Sequence, residues 1–251
     1  MPRQGKGKRE KKGRKAKKQP DLTSNPLREH FLTIVICTII ALFVTTYIVH
    51  PMSVPTPSME PTILVGDRVL VDKFSIRNGY VPGLPLLPSY TVKRQDIIVC
   101  KAPREPEILL VKRVIGLPGD TLEIRDKNVY INGQPLDEPY KQHSDPNVYP
   151  EGNPNPFFGN VERDNYKAIT IPPDSYFVMG DNRDDSLDSR FWGVLPKDHI
   201  VGRPLIIFWS FQDPPDAHLR TSPLEIIELY AQRLFFFLTR TRWSRMGSLV
   251  R

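Results

Sequence analysis

The chain has 251 residues, a formal net charge of +7, 15 glycines, 26 prolines and two cysteines. That much proline opposes a helical bundle and points to turns and short strands, and the length suits one or two small domains. Cys37 and Cys100 lack Cys-x-x-Cys partners, which excludes a disulfide framework and a cysteine metal site and leaves them as small buried hydrophobes.

Positive charge crowds into residues 3–18, and the rest of the chain is near balance. A nucleic-acid arm is one reading of such a tail, and the cytoplasmic flank of a membrane span is the stronger one. Phe31 to Val49 carries no charge, and at helical rise it would cover roughly 28 Å, enough for a bilayer core. Its threonines can bond back to their own helix. A cleaved signal peptide would have a shorter apolar region ending in small residues, whereas this one continues into Tyr47-Ile-Val-His50-Pro51. An uncleaved signal-anchor is expected, with everything after His50 on the far side.

Beyond Pro51 the apolar runs are short and β-branched: Asp67–Val71, Asp96–Val99, Ile108–Ile115, Thr121–Ile124, Asn128–Ile131, Ala168–Ile171, Tyr176–Met179 and Val201–Phe211. These predict strands. Asn132-Gly133 predicts a tight hairpin. Asp137 to Asp164, polar and rich in proline and asparagine, predicts an exposed insertion. Ser222-Pro223-Leu-Glu225 predicts a helix start. The apolar residues after it, with Arg240, Arg242 and Arg245 behind them, suit a helix lying on anionic lipid or one packed on the domain.

Two residues carry candidate chemistry. Ser58 stands in Pro55-Thr56-Pro57-Ser58-Met59-Glu60-Pro61, and a serine hydroxyl needs a base to become a useful nucleophile. Lys112 lies within Ile108-Leu-Leu-Val111 and Val114-Ile115. A lysine amine serves as a base only when neutral, and burial in an apolar strand lowers its pKa from about 10.4. Spacing alone leaves open that Lys112 is a solvated charge beside Arg113.

Four stretches then carry a resemblance: Pro57-Ser58-Met59-Glu60-Pro61-Thr62 with Gly66-Asp67; Lys93-Arg94-Gln95-Asp96-Ile97-Ile98-Val99; Lys112-Arg113-Val114-Ile115-Gly116-Leu117-Pro118-Gly119-Asp120; and Gly180-Asp181-Asn182-Arg183-Asp184-Asp185-Ser186-Leu187-Asp188-Ser189-Arg190. In order and spacing the chain resembles the bacterial type I signal peptidases, membrane-bound serine/lysine endopeptidases. The resemblance implies that Ser58 is the nucleophile and Lys112 the general base. It implies an oxyanion hole from the Ser58 N–H and the Thr56 hydroxyl, with Ser186 orienting the lysine. Asp181, Arg183, Asp188 and Arg190 would brace the site through ion pairs, with Gly180 and Asn182 allowing tight turns. Val54, Met59, Ile63, Val69, Val99 and Val111 would line shallow pockets that admit only small side chains at the first and third positions before the cut.

The expected fold is mostly β: a single transmembrane helix, then a signal-peptidase-type catalytic β domain with a small inserted subdomain. The expected partition is a disordered basic tail over 1–30, an anchor over 31–49, a catalytic domain over 50–120 and 172–215, an insertion over 121–171 and an extension with an interfacial helix over 216–251. The implied partners are signal peptides of exported preproteins and the lipid bilayer, with the translocation machinery nearby; nucleic acid, metal and organic cofactors are not expected. The chain is expected to be monomeric, single-pass in the cytoplasmic membrane, N-terminus inside and catalytic domain outside. Self-cleaving repressors share the dyad but lack a span, and reticulum-type signal peptidases carry histidine where Lys112 stands. A membrane-anchored inactive homologue with a scaffolding role is the alternative from another class.

Overall fold

The computed structural model describes residues 26–76, 90–150, 153–155, 159–214, 217 and 222–251. Of the tail expected to be disordered over 1–30, residues 1–25 lie outside that range and residues 26–30 are helical. Two compact units are present, Met1–Leu42 and Phe43–Arg251. The described part of the first is helix α1 (Pro26–Phe43), whose Leu27, Phe31, Ile34, Ile39 and Leu42 face outward. The helical run Leu27–Ile48 is, among the described residues, the one long and apolar enough to cross a membrane by length and composition. It begins ahead of the expected Phe31 and stops before Val49, which opens a strand instead. Cys37, expected to be buried, is exposed, because a lone helix has no protein core in which to hide it.

The second unit is built from short strands: β1 (Val49–Ser53), β2 (Asp67–Asp72), β3 (Ile97–Lys101), β4 (Leu109–Gly116), β5 (Thr121–Arg125), β6 (Asn128–Ile131), β7 (Gln134–Pro135), β8 (Asn153–Asn155), β9 (Gly159–Val161), β10 (Tyr166–Thr170) and β11 (Ser175–Met179). A short helix α2 (Ser189–Trp192), β12 (Leu195–Pro196) and the long β13 (Ile200–Ser210) complete it, followed by helices α3 (Pro223–Phe235) and α4 (Phe237–Arg240). The main sheet runs β1-β2-β13-β3-β4-β11-β12, a second runs β10-β5-β6-β7, and β8 and β9 make a hairpin. These neighbours pair antiparallel, as β3 does with β4.

Sequence pattern explains most of this. In β5 and β6, Leu122, Ile124, Val129 and Ile131 point inward while Thr121, Arg125 and Asn128 point out, the period-two signature of a half-buried sheet. β3 and the second half of β4 are buried at every position from Ile97 to Cys100 and from Val111 to Gly116, Lys112 and Arg113 included. The hairpin after β6 turns on Asn132 and Gly133 at φ 52° and 79°, the left-handed region that this dipeptide tolerates. β13 serves two partners: Ile200 and Gly202 pair with β3, and Arg203 to Ser210 pair with β2. Bulges shift its register within each pairing, and such irregularities bend a strand.

The stretch Asp137–Asp164, expected to be exposed, proves partly internal: Glu138 and Asp164 are buried. Each carboxylate is drawn in by an arginine, Glu138 by Arg183 and Asp164 by Arg163, since a buried charge persists only when paired. At the far end, the Ser222 N–H donates to the Glu225 carboxylate at 3.1 Å, starting α3. The chain then returns to the main sheet. The Ile207 N–H donates to Ser248 O at 3.0 Å, and the Arg245 guanidinium meets the buried Asp67 at 2.6 Å.

Candidate active site

Ser58 sits in a single 3-10 turn, Pro57–Met59, entered from an extended Thr56 at φ −119° and ψ 150°. Pro55, Pro57 and Pro61 restrict φ along this segment and so hold its shape. The turn buries Ser58 and Met59 and leaves Thr56 exposed at its entrance. Lys112 comes from the middle of β4, opposite Ile98 of β3.

The lysine side chain joins the two segments. Lys112 is 2% exposed, and its Nζ donates to Ser58 Oγ at 2.8 Å and to Ser186 Oγ at 3.1 Å. Both contacts are hydroxyls, and among the described residues no carboxylate lies within ion-pair distance of Nζ. Burial therefore pushes the amine's pKa down, against a smaller upward pull from Asp188. Once the amine is neutral, the Ser58 hydroxyl can donate back along the same line, the geometry a base needs to receive a nucleophile's proton. Cys100, also buried, has its thiol pushed up to about 12 by burial, so it stays neutral beside the lysine.

Ser186 is held in turn. Its hydroxyl donates to Asp188 Oδ2 at 2.8 Å, which also accepts the Gly180 N–H at 3.0 Å. Arg190 grips the same carboxylate from both oxygens, Nε to Oδ1 and Nη2 to Oδ2, each at 2.8 Å. Burial would raise the Asp188 carboxyl, but Arg190 and these hydrogen bonds outweigh it and hold the pKa below the ordinary value. Gly180 is glycine for a steric reason: a Cβ there would run into Ser186 Oγ and the Ser58 carbonyl.

Asp181, Arg183, Asp188 and Arg190 each enter an ion pair. Asp188 pairs with Arg190, and Asp181 pairs with Arg113, through Nε at 2.8 Å and Nη2 at 2.7 Å, and also accepts the Thr62 hydroxyl at 2.6 Å. Arg183 pairs with Glu138 and donates Nε to Gly180 O at 3.1 Å. Sequence reasoning missed Arg113, Glu138 and Thr62. A signal for Arg113 existed: a strand covered on both faces that buries Lys112 must also bury its neighbour, and a buried guanidinium needs a carboxylate. Glu138 carried no such signal. Asn182 lies against the nucleophile's backbone, its N–H donating to Ser58 O at 3.2 Å and its Nδ2 to Pro57 O at 3.4 Å.

The residues expected to wall the pockets, Val54, Met59, Ile63, Val69, Val99 and Val111, fall into one buried cluster with Val71, Ile97 and Ile207. Each is 6% exposed or less, and partly buried Met52 and Leu109 pack against them. No group of three or more His, Cys, Asp or Glu side chains able to hold a metal occurs among the described residues.

Comparison with known proteins gives the family of the chain. Residues 27–209 match the family model described as signal peptidase, peptidase S26. Signal peptidase I of Leptolyngbya laminosa is 35% identical over 199 residues, covering 77% of this chain and 85% of that protein. Signal peptidase I of Pseudomonas fluorescens is 33% identical over 72% of each chain, and signal peptidase I P of Bacillus subtilis subsp. natto is 36% identical over 72% of this chain and 87% of its own. The chain belongs to the signal peptidase family, peptidase S26.

Proposed function

We propose that the protein is a membrane-bound serine endopeptidase that removes signal peptides from exported preproteins, with Ser58 as nucleophile and Lys112 as its base. The observation that carries this reading is the 2.8 Å contact between Ser58 Oγ and a buried lysine amine whose pKa burial lowers. Ser58 Oγ attacks the scissile carbonyl carbon while its proton passes to Lys112 Nζ. The resulting oxyanion is met by the Ser58 N–H and the Thr56 hydroxyl. Collapse expels the new amino terminus, which takes the proton from Lys112, and water then frees the acyl group from Ser58 with the amine again as base. Ser186 keeps the amine aimed at Ser58. The ion pairs of Asp181, Arg183, Asp188 and Arg190, together with Asn182, stiffen the walls.

Specificity for small residues at the first and third positions before the cut follows from the cluster around Val54, Met59, Ile63, Val69, Val99 and Val111, whose bulk excludes large side chains. Residues 121–171 serve as an inserted subdomain. Leu27–Ile48 is the anchor, with the basic tail cytoplasmic and the catalytic unit outside, working as a monomer alongside the translocation machinery. α3 rests on lipid: of its residues only Leu229 is buried, while Leu224, Ile227, Tyr230, Leu234 and Phe235 are exposed.

The test is cleavage of a membrane-inserted preprotein bearing Ala-x-Ala before the cut. Wild type should cleave it, and Ser58→Ala and Lys112→Ala should each be inert. Full activity in either variant would overturn the dyad, and a wild type that does not cleave would favour the inactive-scaffold alternative.

A further inference from the structure

Asn182 makes contacts that its place in a charged loop does not explain. Its backbone N–H holds the carbonyl of Ser58 and its side-chain Nδ2 holds the carbonyl of Pro57. One residue thus grips the peptide groups on both sides of the Ser58 Cα. The peptide joining Pro57 to Ser58 is planar and trans, so its C=O and N–H point in opposite directions. Whatever fixes the Pro57 oxygen therefore fixes the direction of the Ser58 N–H. That oxygen has two donors, Asn182 Nδ2 at 3.4 Å and the Glu60 N–H at 3.0 Å. The Ser58 N–H has no acceptor among the described residues.

A second observation concerns the same side chain. Asn182 is 6% exposed, and its Oδ1 is buried without a partner. Rotating the carboxamide would not help, because it would press Oδ1 against the Pro57 oxygen. An unpaired buried acceptor is destabilising, and an apolar side chain of equal size would avoid it. What a carboxamide adds here is its donor to Pro57.

We propose that Asn182 is a positioning residue for the oxyanion hole, setting the plane of the Pro57–Ser58 peptide so that the Ser58 N–H faces the developing negative charge. The inference rests on the reading of Ser58 as nucleophile given above. It predicts a separation that a scaffold role would not produce. Removal of the side-chain donor slows turnover without weakening substrate binding and without loss of stability.

The experiment uses the full chain in phospholipid vesicles, with wild type, Asn182→Leu, Asn182→Asp and Ser58→Ala. In Asn182→Leu, kcat should fall on the order of tenfold with KM within about twofold, and Tm should hold or rise. A peptide boronate, which forms a tetrahedral adduct on Ser58, should bind on the order of tenfold more weakly, while a non-cleavable peptide of the same sequence binds as to wild type. Asn182→Asp, which keeps the shape and loses the donor, should show the same split, so the test survives poor folding of the leucine variant. Wild-type kcat in both, or a parallel weakening of both ligands with a lowered Tm, would overturn the proposal. Activity retained by Ser58→Ala would instead sink the underlying assignment of the nucleophile, whatever Asn182 does.

Discussion

Around Lys112 the chain buries charge, with Arg113, Arg183 and Arg190 inside the protein against Asp181, Glu138 and Asp188. α3 and the residues after it do the reverse, leaving Leu234 at 81% and Phe235 at 83% exposed. In the first region the guanidinium groups of Arg113, Arg183 and Arg190 each find a carboxylate within the fold, and Lys112, with no carboxylate at contact among the described residues, has its pKa lowered by burial. In the second, apolar side chains such as Leu234 and Phe235 stay largely outside the core, so water is the wrong solvent for them. The two regions show one rule from opposite sides: a group in an unfavourable setting is either matched locally or marks a place where something else acts on it.

The contrast can be broken most severely at Lys112. Lys112→Met should reduce cleavage on the order of 10⁴-fold or more, as loss of a coupled nucleophile or base does, yet raise Tm by about 2–4 °C for each kcal/mol of desolvation relieved. The sign follows from proton counts. Unfolded, Lys112 is charged below about 10.4, whereas folded it is neutral down to its lowered pKa. Between those limits the unfolded chain binds more protons, so stability rises with pH. Activity, by contrast, should decline as pH falls through the lowered amine pKa, and thermal melts and rate profiles over the same buffers check both. Constant stability across that range would contradict a buried neutral lysine.

Next in size, Asp188→Asn leaves Arg190 buried without its carboxylate and should cost about 3–5 kcal/mol of stability by urea titration. A loss below about 1 kcal/mol would mean the pair is solvated. Thr56→Val should lower kcat by an amount equivalent to about 2.7–4 kcal/mol with an unchanged Tm, because Thr56 is exposed. Smallest in the folded protein is Leu234→Glu with Phe235→Glu, within about 0.5 kcal/mol of wild-type stability. On vesicles the same pair should abolish quenching of Trp243, 49% exposed, by brominated lipid, measured with Trp192 and Trp209 replaced by Phe. Undiminished quenching would show that the helix does not lie on the bilayer.

Much of the fold was legible because its causes are local. β-branched runs set β2, β4 and β11 nearly to the residue, Asn132-Gly133 set its turn, and Ser222 with Glu225 set the start of α3. The grouping of Ser58, Lys112 and Ser186 was legible through family motifs. Partners far apart in sequence were not. Glu138 looks like any acid in a proline-rich loop, and only the fold carries it to Arg183. Asp181 and Arg183, close enough to suggest a pair, point to different arginine and glutamate partners because the 3-10 turn over Arg183–Asp185 sends them apart.

β1 joins Ile48, the last helical residue, to the segment that bears Ser58, and all 5 of its residues pair with β2. The connection is consequently a rung of the sheet and cannot stretch like a tether; at about 3.3 Å per residue its reach is fixed at roughly 16 Å. An insertion in β1 would therefore shift its register against β2 instead of lengthening the link to Ser58.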